Sequence, residues 1–68
     1  MDPKWTDPVS ALQYALKQEI SSIENYSQAA DNVRHEATRK IFKVLIEEEK
    51  KHKALIEEIL DRDFYKEM

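Results

Sequence analysis

Sixty-eight residues make one small domain at most, and a core of that size is marginal without a metal, disulfides or a partner copy. The chain has no cysteine, which excludes disulfides, iron–sulfur clusters and rubredoxin-type iron sites, and it has no glycine and only two prolines, Pro3 and Pro8, which favours helix throughout. Charged residues make up 37% with a net charge of −3, a mixed and slightly acidic surface that offers nucleic acid no basic face. No apolar run approaches the ~18 residues of a membrane span. Met1 to Asp7 carries no apolar signal region, so the expected setting is the cytosol or the lumen of a compartment.

Met1 to Asp7 reads as a short irregular lead, with Trp5 as its anchor against a helix end or a neighbouring subunit. Asp7 followed by Pro8 is an N-cap followed by proline at the first helical position. A first helix is expected over about residues 8–31, with a stripe of Leu12, Leu16, Glu19, Ile23, Tyr26 and Ala30 spaced 4, 3, 4, 3, 4. A carboxylate, Glu19, interrupts that apolar seam. The break falls in Asp31-Asn32-Val33-Arg34-His35, where Asn32 can take the left-handed conformation that ends a helix when glycine is absent. His35 reads as a solvated or capping residue rather than a ligand.

A second helix is expected over about 36–61. Its stripe, Phe42, Leu45, Glu49, His52, Ile56 and Ile59, is spaced 3, 4, 3, 4, 3. Glu49 and His52, three residues apart, therefore share the inward face with apolar neighbours. The outer face, with Lys40, Lys43, Glu47, Lys50, Lys51, Glu57 and Glu58, reads as solvated. Glu47–Lys51 and Glu49–Lys53 have favourable i,i+4 order there, although an inward Glu49 is diverted from its pair. Residues 62–68 form a short tail in which Phe64, Tyr65 and Met68 can dock.

Two antiparallel helices joined near residue 34 bring positions level when their numbers sum to about 68, as Glu19 and Glu49, Tyr26 and Phe42, and Leu16 and His52 all do. Two carboxylates and an imidazole thus meet in an apolar seam. Unpaired carboxylates are costly to bury, and a divalent metal suits carboxylate oxygen and imidazole nitrogen together. Glu48 competes with Glu49 but has Lys51, not an imidazole, three residues on. Tyr26, two turns from Glu19 on the same face, can hydrogen-bond a ligand carboxylate.

The expected fold is therefore all-α, an antiparallel two-helix hairpin forming a single domain over 1–68. One hairpin leaves much of both stripes uncovered, and Ile20, Ile41, Val44, Leu55 and Leu60 widen the apolar faces. Dimerisation into a four-helix bundle covers them. A twofold axis then collects Glu19, Glu49 and His52 from each copy, which is the ligand set of a carboxylate-bridged di-iron bundle. Four carboxylates balance two divalent metals. The ligand types alone accept iron, manganese or zinc.

Ala11-Leu12, Glu19, Tyr26, Ala29-Ala30 and Glu48-Glu49-Lys50-Lys51-His52 resemble the ferritin-like superfamily and, within it, one half of a rubrerythrin. The chain is more similar still to the encapsulated ferritins, with a Glu, a Tyr seven later and a Glu-x-x-His whose Glu follows the first by thirty; the run Ala54 to Asp63 is similar too. The resemblance spans about residues 9–63 and implies a ferroxidase for iron storage. Its di-iron centre lies between two hairpin subunits, with Glu19, Glu49 and His52 as iron ligands and Tyr26 beside them. It also implies a homodimer at minimum, a ring-shaped decamer built from such dimers, and housing inside an encapsulin nanocompartment in the cytoplasm. Gln18 and Ser21 depart from the pattern where the family often has further acidic residues at a metal entry site. The family's cargo chains extend into a shell-targeting tail, whereas this sequence stops at Met68, so a shortened chain or a domain of a fused shell protein is expected. Two other readings stand beside the ferroxidase. One is a rubrerythrin-like peroxide or oxygen reductase, which without cysteine needs a separate electron donor. The other is a metal-free structural hairpin for dimerisation.

Overall fold

The computed structural model describes residues 3–66, with side chains from Trp5 onward. The chain is all-α. Helix α1 (Pro3–Thr6) leads into α2 (Pro8–Asn32) and α3 (Glu36–Leu60), which pack as a hairpin, and a π-helical turn, Asp61–Tyr65, follows. The two long helices have 25 residues each, so each is roughly 37 Å long at ~1.5 Å per residue.

The residues expected as an irregular lead contain the single turn of α1, begun by a proline that suits a first helical position. It stops because Pro8 drives the residue before it out of the helical region. Asp7 is accordingly extended, at φ −87° and ψ 118°, and serves as the N-cap of α2. Its Oδ2 accepts from the Ser10 amide at 3.0 Å and from the Ser10 hydroxyl at 2.6 Å. Both bonds hold the Asp7 carboxyl below its ordinary range. Trp5 meets Tyr14 edge-to-face with ring centroids 5.3 Å apart, against the first turns of α2.

The reversal does not use a left-handed Asn32. No described residue has positive φ, Asn32 is the last helical residue, and Val33 leaves the helix extended at φ −68° and ψ 136°. Side chains do the work that a glycine cap would do. Asn32 Nδ2 donates to the Gln28 carbonyl at 2.7 Å and Arg39 Nε donates to the Ala30 carbonyl at 3.0 Å. His35 caps the next helix, its Nδ1 accepting from the Thr38 amide at 3.2 Å.

On the outer face, Glu47 pairs with Lys50 at 3.7 Å and Glu48 with Lys51 at 3.5 Å, in place of the expected Glu47–Lys51. Glu49 turns inward, so Lys53 pairs with Glu57 at 3.3 Å instead. Exposed pairs of this kind contribute little to stability. At the far end the π turn closes with the Lys66 amide donating to Asp61 O at 2.8 Å. Tyr65 is thereby turned back to α2, where its hydroxyl accepts from Gln13 Nε2 at 2.9 Å. Phe64 is half-buried. Met68, the other residue expected to dock, lies outside the described residues.

The molecule measures 46 × 27 × 13 Å, so it is one helix thick. A single layer encloses little: among the described residues only Ala30 and Leu60 are buried. Ile41, Val44 and Leu55 are each more than half exposed. No helix among the described residues is long and apolar enough to cross a membrane.

Candidate metal centre

The levelling of the two helices is visible in the aromatic pair, Tyr26 on α2 and Phe42 on α3, whose ring centroids are 5.8 Å apart. Further from the loop the same register brings Glu19 of α2 to Glu49 of α3, with His52 one turn on. Ligand-type atoms of Glu19, Glu49 and His52 all lie within 4.8 Å of one another. His52 Nδ1 is 3.7 Å from Glu19 Oε1 and 3.7 Å from Glu49 Oε1, so the imidazole turns this nitrogen to both carboxylates. Glu48 stands outside the group, paired outward with Lys51.

The three side chains are not equally enclosed. Glu19 is 20% exposed and Glu49 19%, while His52 is 54% exposed. His52 therefore occupies the margin of the seam rather than its interior. On a helix, i and i+3 differ by about 60° in direction, so an imidazole three residues from an inward Glu faces the flank of the hairpin. Lys50, about 100° the other way, looks to the opposite flank. There a groove of about 430 Å³ is lined by Ile20, Ile23, Glu24, Lys50 and Lys53, apart from the cluster.

Glu19 Oε2 is shielded from solvent and has no hydrogen-bond partner. Two ionised carboxylates hold no proton to share, and a shielded acceptor in that state is costly. The Glu19 carboxyl is accordingly raised above its ordinary range, chiefly by a hydrogen bond with Glu49 that a proton makes possible. Burial and the Glu49 charge act the same way, and His52 opposes them. Such a pair accepts either a proton or a cation. A hard oxygen pair with one imidazole nitrogen fits a divalent first-row metal, and the orphaned Glu19 oxygen supplies an uncommitted lone pair for it. Tyr26 lies on the same face of α2, but among the described residues its hydroxyl is not bonded to either carboxylate; its ring contact is with Phe42.

The family model for rubrerythrin matches residues 3–68, nearly the whole chain. The chain belongs to the rubrerythrin family. A rubrerythrin-family domain is ferritin-like, and membership points to an iron-binding role of the iron-related oxidoreductase kind. Searches of curated proteins and of solved structures return no match.

Proposed function

We propose that two copies of this chain pack as a four-helix bundle and oxidise Fe(II) at a di-iron centre formed between them. The observation that carries the reading is the convergence of Glu19, Glu49 and His52 within 4.8 Å. In one chain this is a three-ligand set open on the His52 side. A twofold copy laid on that side supplies the same three residues again, which completes the di-iron bundle set. The exposed Ile41, Val44 and Leu55 support that placement, because they lie on the same flank of α3 as His52 and need cover. Across from them the α2 flank carries the small residues Ala11, Ala15, Ser22 and Ala29, which allow close approach.

In this reading iron is the substrate, and dioxygen or peroxide takes its electrons. Glu19 and Glu49 hold the cations through oxygens that suit both ferrous and ferric iron. His52 binds through Nδ1, and Tyr26 steadies a ligand carboxylate once the metal has drawn the carboxylates into place. The thirty-residue spacing of Glu19 and Glu49 supports the encapsulated-ferritin branch of the family, with a decameric ring as the higher assembly and an encapsulin shell in the cytoplasm as the setting.

Glu49→Ala and His52→Ala should each abolish Fe(II) oxidation, followed as ferric absorbance under air; full turnover in both would end the ferroxidase reading. The family match favours one alternative, a peroxide or oxygen reductase fed electrons by a separate protein. Product fate separates the two: a ferroxidase accumulates ferric mineral, whereas a reductase cycles with added reductant. A metal-free dimerisation hairpin would instead show a melting temperature unmoved by chelator.

A further inference from the structure

We infer that Arg39 is a positioning residue for the metal cluster: its guanidinium fixes the sliding register of α2 on α3. The inference takes the ligand set proposed above as given. Arg39 Nε donates to Ala30 O at 3.0 Å and its Nη2 donates to Val33 O at 2.8 Å, while Nη1 meets Glu36 Oε2 at 3.4 Å. One side chain of α3 thus grips the end of α2, the first residue of the loop and the first turn of its own helix. The planar fork of arginine holds two carbonyls in one fixed geometry, which the flexible, single-centred ammonium of lysine does not impose.

Nothing else at the turn has this directionality. The backbone of the turn uses extended Val33 and His35, with no positive φ and no glycine to enforce one path. The His35 and Asn32 side chains cap their own helices and do not cross to the other. Away from the Tyr26–Phe42 ring pair and the Glu19, Glu49 and His52 side chains, the seam is Leu, Ile and Ala, whose non-directional contacts resist a slip less than directed hydrogen bonds do. In such seams a polar group with directed bonds is what selects one register.

The metal cluster is sensitive to that choice. Glu49 lies ten residues beyond Arg39 on α3, roughly 15 Å away at ~1.5 Å per residue. A rigid helix carries a displacement at the loop undiminished to that point. A slip of one residue moves Glu49 by ~1.5 Å along the axis and turns it about 100° from Glu19, enough to open a cluster that spans 4.8 Å.

The test compares Arg39→Lys, Arg39→Met and Asn32→Ala with the parent. Asn32→Ala removes a cap of α2 that does not bridge the helices. Co(II) is the probe, titrated by its visible absorption at a temperature where far-ultraviolet circular dichroism shows full helix. Both Arg39 variants should bind Co(II) about tenfold or more weakly, with a shifted ligand-field spectrum. Asn32→Ala should lower the melting temperature and leave Co(II) affinity alone. Because the chain has no cysteine, Ser21→Cys with Lys51→Cys gives a clean spin-label pair. Its distance distribution in metal-free, spin-diluted protein should broaden or shift in Arg39→Met. Parent-like Co(II) affinity in Arg39→Lys, or an unchanged label distribution in Arg39→Met, would overturn the inference. A parent that binds no Co(II) would instead count against the ligand set, and the label distances would still decide the role of Arg39.

Discussion

Glu19 shows how a single side chain can oppose the fold that holds it. Its Oε2 is shielded and unpartnered, and its carboxyl is raised above the ordinary range by the bond to Glu49, by burial and by the Glu49 charge. The sign of the pH effect follows. The native state holds a proton on Glu19 that the unfolded chain has released, so this contribution to stability is full below the unfolded carboxylate range. It is lost as pH rises through the raised native value. Metal-free protein should therefore be more stable under mildly acidic conditions than at neutrality, as read by melting temperature across pH. Glu19→Gln, which keeps the planar shape of the carboxyl but cannot ionise, should remove that slope. Metal affinity should run the other way and rise with pH, because cation and proton compete for the same oxygens.

Each long helix is stopped by a specific chemical cause, and those causes differ in how openly the sequence displays them. Asp7-Pro8 announces the start of α2 because proline constrains the residue before it. The bodies of α2 and α3 are legible because their apolar residues recur at 3 and 4. Helix α1 has four residues, too few for any period, and the π turn at Asp61–Tyr65 has no residue signature. Arg39 escapes notice because a charged residue near a helix start looks like outer surface, and only the folded hairpin brings it to Ala30 O. The convergence of Glu19 with Glu49 was legible because two carboxylates break an apolar seam at matching heights. The marginal position of His52 was not, since a stripe read as one line hides its width. Leu60, 3% exposed, is the buried last residue of α3, where the π turn begins. Leu60→Ala should cost roughly 2–5 kcal/mol in urea denaturation, a large share of the stability of so small a chain.

A slab 13 Å thick with two buried residues among those described leaves most of its apolar surface uncovered. Layers bury apolar faces only against other layers, and the exposed Ile41, Val44 and Leu55 mark the face that wants one. In the proposed assembly that face also carries the open side of the metal cluster, so assembly and metal binding become one equilibrium. Placing charge there should dissolve both: Ile41→Glu with Leu55→Glu should sediment as a single chain and bind Fe(II) far more weakly, although every ligand is intact. The most direct measurement is native mass spectrometry of the parent protein titrated anaerobically with Fe(II). An even number of chains carrying one iron per chain is expected, with loss of that iron in His52→Ala. A single chain that holds iron alone, or an assembly that takes up none, would contradict it.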